Sequence, residues 1–181
     1  MIMTIPNFIS ISRLILVPFI IWFIVGDLYV FAFWLFLVAS ISDAIDGYLA
    51  RKFSIKSKLG SILDPLADKV LLVTVMITLG FSGVIPMWLV TLVVSRDLFM
   101  LMAYVFTRKH LQDQDVKPSL ISKFNTTFQM SYVTLLLIDL AFDVQMSNRI
   151  FGVLIYLVAF TTTVSWIGYM RKWLNLLLQK K

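Results

Sequence analysis

Six long apolar runs, separated by short polar clusters, set the pattern of this chain. They cover about 8–25, 29–52, 60–81, 85–108, 119–141 and 148–170. A helix rising 1.5 Å per residue needs about 20 residues to cross the hydrocarbon of a bilayer, so each run predicts a membrane-spanning α-helix. The breaks carry turn chemistry: Gly26-Asp27, Ser82-Gly83 with Pro86, and the polar stretch from Arg108 to Pro118. No internal repeat and no low-complexity tail divides the sequence. The expectation is an all-α integral membrane protein, a six-transmembrane-helix bundle forming one domain over residues 1–181.

Composition strengthens that reading. Of 181 residues, 60% are hydrophobic and only 14% charged, with a mean hydropathy of +0.90; a soluble domain carries about a quarter charged residues. Cysteine is absent, which excludes disulfides, a thiolate nucleophile and a Cys-ligated metal. The sole histidine, His110, sits in a polar stretch and reads as a solvated residue, which leaves no His-based catalytic centre. Arg13 interrupts the first run and no small-residue cleavage site follows it, so that run is expected to be retained as a span. No Arg/Ser-rich transit segment precedes it, which points to a bacterial inner membrane ahead of a mitochondrial one.

Charge then orients the bundle. With both termini on one side, 15 of the 16 Lys and Arg residues fall at or near that side, and Arg149 alone lies opposite. The positive-inside rule therefore places both termini and the 51–59 loop in the cytoplasm. The net charge of +6 lies on the leaflet where anionic headgroups attract basic segments. Nucleic acid is not an expected partner, because no aromatic–basic interleaving or binding module accompanies the charge.

Against this apolar background stand two acidic blocks, Asp43-x-x-Asp46-Gly47-x-x-Ala50-Arg51 and Gly60-x-x-x-Asp64-x-x-x-Asp68. One charge at the bilayer centre costs about 2.5–3.5 kcal/mol on insertion scales, so intramembrane carboxylates point to function. Asp43, Asp46, Gly47 and Ala50 are spaced i, i+3, i+4 and i+7, one face of a helix, and Asp64 and Asp68 repeat the device one helix later. Gly47 and Ala50 leave a slot where a ligand can approach the backbone, and Arg51 can fork onto a phosphate. Each carboxylate could instead pair with Lys52, Lys69 or Arg51. Four together, beside a small-residue slot, favour a divalent-metal cage, and hard oxygen ligands suit Mg²⁺ or Mn²⁺.

The full run, D-x-x-D-G-x-x-A-R-x8-G-x3-D-x3-D from Asp43 to Asp68, resembles the signature of the CDP-alcohol phosphatidyltransferase family, with all eight fixed positions present. Ile5-Pro6-Asn7 with Ser12-Arg13 is similar to an N-terminal motif of its glycerophospholipid branch. The resemblance implies a six-span fold and a two-metal site that holds the pyrophosphate of a lipid nucleotide such as CDP-diacylglycerol. It implies Asp43, Asp46, Asp64 and Asp68 as metal ligands, with Asp68 as catalytic base. It also implies contacts to the CDP-lipid from Asn7, Gly47, Ala50, Arg51, Ser57 and Gly60, and a homodimer. An acceptor hydroxyl would attack the phosphorus that bears the lipid, releasing CMP.

The acceptor is read from the remaining polar residues. Arg96, Lys123 and Arg13 are the candidates to hold its phosphate, although Arg96 and Lys123 could pair with Asp97 or cap helix ends. Members of the family that use glycerol-3-phosphate tend to place a second arginine two turns after the first; here that position is Tyr104. Ser95-Arg96-Asp97, the stretch from Lys117-Pro118 through Ser122-Lys123-x-Asn125-Thr126-x-x-Gln129, and Ala159-Phe160-Thr161-Thr162 resemble the cardiolipin-synthase branch. That branch uses phosphatidylglycerol as acceptor, and glycerol-3-phosphate is the alternative. Two rival classes are weaker. A cation transporter with broken helices in two repeats would need counterparts of the two acidic blocks in the second half, and neither block recurs there. A prenyltransferase would not need the Gly47, Ala50, Arg51 and Gly60 spacing.

Overall fold

The computed structural model describes the backbone of residues 5–52, 60–110 and 120–178. It describes the side chains of 11–42, 67–103 and 121–171, with Trp173 and Leu174. Among the described residues there are six helices and no strand: α1 Ile5–Val25, α2 Tyr29–Lys52, α3 Gly60–Phe81, α4 Met87–His110, α5 Leu120–Phe142 and α6 Asn148–Leu178. Every predicted run is a helix, with boundaries within three residues except at the end of α6. There the apolar run ends at 170, before the basic pair Arg171-Lys172. A charge pair ends an apolar run but not a helix, and Leu, Lys and Arg all keep high helix propensity. In the described part, Asn148–Arg171 is long and apolar enough to cross a membrane, with a hydropathy of 2.0, and Ile11–Val25 and Tyr29–Ser42 are shorter apolar helical stretches.

The chain forms two compact units, one of Met1–Ile85 with Val133–Met146 and the other of Pro86–Tyr132 with Ser147–Lys181. In the first, α1 packs on α2 and α3. Ile20 and Ile24 of α1, Phe36 of α2, and Leu71, Val75 and Leu79 of α3 are fully buried. Ala32, Ala39 and Ala67 are buried beside them, and such small side chains let helices approach where apolar surroundings give no hydrophobic drive to pack. Trp22, Phe31, Trp34 and Phe81 are exposed, the outward apolar face expected of a lipid-facing helix.

The turns explain the register. After α3, Gly83 takes a left-handed φ of 76°. Its N–H donates to Gly80 O at 3.0 Å, and that of Val84 donates to Leu79 O at 2.9 Å. This paired arrangement closes a helix C-terminus and favours glycine at the left-handed position. Asp27 fills the same position after α1 with φ 55°, tolerable because Asp visits that region more readily than most residues. Leu28 N–H donates to Phe23 O at 2.8 Å, and the Tyr29 hydroxyl donates to Asp27 Oδ1 at 2.8 Å. The end of α5 is tied down by Met146 N–H donating to Asp139 Oδ1 at 2.8 Å.

In the second unit α4 packs on α6, burying Leu89, Val93 and Val158. Phe99 meets the rings of Trp166 and Trp173 at 6.3 and 6.0 Å. Ser147 caps α6, its Oγ accepting Arg149 N–H at 3.3 Å, as expected of an N-cap serine. Exposed hydroxyls of this unit, such as Thr91, Thr127 and Thr163, donate to carbonyls four residues back on their own helices. That is how a hydroxyl is satisfied where no water is at hand.

Candidate active site

In the first unit, α1 carries Arg13 and α3 carries Asp68, and the two side chains form an ion pair. Arg13 is 2% exposed and the Asp68 side chain 24%. A guanidinium that deep is tolerable only if paired, because desolvating an uncompensated charge costs several kcal/mol. Packing of α1 on α3 thus forces the two charges together. Arg13, expected to meet the acceptor, faces the expected base.

The other expected ligands are placed by backbone only. Asp43, Asp46, Gly47, Ala50 and Arg51 lie in the last turns of α2, Gly60 opens α3 and Asp64 follows in its second turn. The side chains of Asn7, Asp43, Asp46, Ala50, Arg51, Asp64 and Tyr104, the surroundings of Gly47 and Gly60, and Ser57 altogether lie outside the described residues. Among the described residues no three acidic or His side chains converge, since three of the four candidate carboxylates are not among them. The helical backbone does carry Asp43 and Asp46 at i, i+3 and Asp64 and Asp68 at i, i+4. That register puts each pair on one helix face, and an all-carboxylate donor set fits Mg²⁺ or Mn²⁺ and suits softer metals poorly.

The second unit buries a polar seam. Arg96 of α4 is fully buried. Its Nη1 donates to Asp97 Oδ1 at 2.5 Å, and its Nη2 donates to Ser122 Oγ of α5 at 2.7 Å and Ser165 Oγ of α6 at 2.5 Å. The Tyr169 ring centroid lies 6.0 Å from the guanidinium carbon. Arg96 therefore takes the pairing with Asp97 that the sequence left open, while Nε is buried without a hydrogen-bond partner. Lys123, the other acceptor candidate of this unit, is exposed.

One turn along α5, Asn125 is fully buried, and its Oδ1 lies 2.9 Å from both the Thr161 and Thr162 hydroxyls. Gln129 Nε2 donates to Thr162 Oγ1 at 3.3 Å. In the sequence these residues stand out only within the similar motifs. Their shared signal is spacing: Ser122, Asn125 and Gln129 fall at i, i+3 and i+7, and Thr162 and Ser165 at i and i+3. Each set is a polar stripe down one face of an apolar helix.

Known proteins give the frame for these sites. The profile of the CDP-alcohol phosphatidyltransferase family matches residues 3–168. A chloroplastic CDP-diacylglycerol–glycerol-3-phosphate 3-phosphatidyltransferase of Oryza sativa is 38% identical over 184 residues, covering 92% of this chain and 56% of the plant protein. Cardiolipin synthase (CMP-forming) of Rattus norvegicus is 33% identical over 182 residues, covering 92% of this chain and 60% of the rat protein. A CDP-diacylglycerol–glycerol-3-phosphate 3-phosphatidyltransferase of Aquifex aeolicus is 31% identical over 174 residues, covering 94% of this chain and 96% of that protein. The chain thus spans little more than half the length of the plant and rat relatives, and nearly all of the Aquifex one. The family's named members are phosphatidyltransferases, and its chemistry generally uses divalent metals. With its profile matched over residues 3–168 and its signature complete from Asp43 to Asp68, this chain belongs to the CDP-alcohol phosphatidyltransferase family.

Proposed function

We propose that this chain is a cardiolipin synthase that transfers a phosphatidyl group from CDP-diacylglycerol to phosphatidylglycerol and releases CMP. It works as a single six-span domain with both termini and the active site on the cytoplasmic side of a bacterial inner membrane, as a homodimer. Asp43, Asp46, Asp64 and Asp68 would hold two Mg²⁺ or Mn²⁺ ions, which when bound neutralise pyrophosphate charge and so favour phosphoryl transfer. Asn7, Gly47, Ala50, Arg51, Ser57 and Gly60 hold the nucleotide end. Asp68 accepts the proton of the acceptor hydroxyl. That oxygen forms a bond to the phosphorus bearing the diacylglycerol, the bond from this phosphorus to the bridging oxygen breaks, and the oxygen leaves with CMP. Arg13 serves this step as a counter-charge that orients Asp68.

The state of Arg96 carries the choice of acceptor. Its charge is balanced by Asp97 and three of its five N–H groups are committed within the protein, which leaves the second Nη1 hydrogen and the Nε–H, buried without a partner. A pair with no net charge and two N–H groups to give suits the monoanionic phosphodiester of phosphatidylglycerol better than the dianion of glycerol-3-phosphate, which calls for several cations. Similarity to the rat cardiolipin synthase supports the same acceptor. The near full-length match to the Aquifex protein supports the second reading, transfer to glycerol-3-phosphate. Purified protein given CDP-diacylglycerol and Mg²⁺ or Mn²⁺ separates them. CMP release that depends on phosphatidylglycerol supports the first reading. Release driven by glycerol-3-phosphate alone supports the second.

A further inference from the structure

Asn125 has no part in the reaction described so far, yet its burial is complete and its hydrogen bonding is half made. Gln129 Nε2 donates to Thr162 Oγ1, so the Thr162 hydroxyl proton is directed to Asn125 Oδ1. With Gln129 in that orientation, the opposite Asn125 amide orientation would leave that proton without its acceptor. In this relay the amide has Oδ1 towards α6. Asn125 Nδ2, carrying two N–H groups, is buried with no hydrogen-bond partner. A buried amide donor left bare is strongly disfavoured, and each such case calls for a missing partner.

The missing partner's chemistry is readable. Arg96 Nε and Trp166 Nε1 are also buried without a hydrogen-bond partner in this unit, and all three orphans are donors. The absent group therefore presents oxygen acceptors. The Arg96 and Asn125 layers are one helical turn apart, since Ser122 and Asn125 are i and i+3 on α5 while Ser165 and Thr162 are i and i−3 on α6. Three residues advance about 4.5 Å along a helix, a span bridged by a glycerol joined to a phosphate. Of the two donors, the guanidinium Nε suits an anionic oxygen and the amide an uncharged one.

We propose that Asn125 is a specificity-determining residue that donates its side-chain amide to a hydroxyl oxygen of the acceptor's glycerol headgroup, with Thr162 and Gln129 as positioning residues. This rests on the phosphatidylglycerol reading above. Asn125→Ala removes the donor and Asn125→Asp replaces it with a carboxylate that repels the acceptor's phosphate, whereas Thr162→Val only releases the amide. The expected result is an about tenfold rise in KM for phosphatidylglycerol in Asn125→Ala, the value of one hydrogen bond. The rise is larger in Asn125→Asp and smaller in Thr162→Val, with KM for CDP-diacylglycerol unchanged in all three. An unchanged KM for phosphatidylglycerol in Asn125→Ala overturns the proposal, as does an equal loss for both substrates together with a lower Tm. A second measurement does not depend on turnover: added phosphatidylglycerol should raise the Tm of the detergent-solubilised wild type more than that of Asn125→Ala, and equal shifts overturn the proposal. If that difference holds while no CMP is released, the headgroup site stands and the transfer reading is what fails.

Discussion

Arg13 shows how a single residue changes meaning between sequence and structure. In the sequence it is a cation near an N-terminal motif, available to any anion. In the fold it is buried and committed to Asp68, because only helix packing reveals which carboxylate lies across from it. Removing it strands a charge. Arg13→Ala should destabilise the protein by about 3 kcal/mol, the low end for broken buried pairs, because the Asp68 side chain remains 24% exposed. It should also lower kcat while leaving KM for the acceptor unchanged, and a raised acceptor KM with normal kcat would return Arg13 to acceptor binding. Arg13→Lys keeps the charge but not the fork and should recover part of the rate. Asp68→Asn should lower kcat by about 10²–10⁴-fold, the range for loss of a general base, yet still bind CDP-diacylglycerol with divalent metal. Asp→Asn at Asp43, Asp46 or Asp64 should instead lose nucleotide binding in a metal-dependent titration.

At the scale of the element, the apolar runs were enough to place six helices, since the periodicity and the turn residues agree. Gly83 and Asp27 stop α3 and α1 where the sequence expects. What the runs could not show is which face of each helix is inward. The mean hydropathy of an all-round apolar helix does not say so, and small residues such as Ala67 carry no signal until a neighbour is seen. Ala67 is fully buried and precedes the Asp68 that Arg13 pairs with. Overpacking such a site costs about 1–3 kcal/mol, so Ala67→Leu should lower the Tm and, by separating α3 from α1, lower kcat as well. An Ala67→Leu protein with normal Tm and rate would show that α1 and α3 do not meet there. The acidic blocks were legible in the sequence as a family signature, and the family profile spans them. The α4–α6 seam was legible only as scattered polar residues, because its meaning lies in contacts between positions up to 69 apart in sequence.

For the whole molecule, the positive-inside count predicts cytoplasmic termini, and the lack of cysteine makes this easy to test. Single cysteines introduced one at a time at Ser82 and at Gln112 should react oppositely with an impermeant thiol reagent added outside, with the first labelled and the second protected. The reverse pattern would invert the topology, and equal labelling would remove the six-span plan. The central claim is that the phosphatidyl group comes from the CDP-lipid and the acceptor is phosphatidylglycerol. Mass spectrometry of the product tests it most directly, using purified protein, unlabelled CDP-diacylglycerol, deuterated phosphatidylglycerol and Mg²⁺ or Mn²⁺. The account predicts cardiolipin with one labelled and one unlabelled phosphatidyl half, formed with one CMP per molecule and abolished by EDTA. Cardiolipin labelled in both halves without CMP, or a product formed only when glycerol-3-phosphate is supplied, would contradict it.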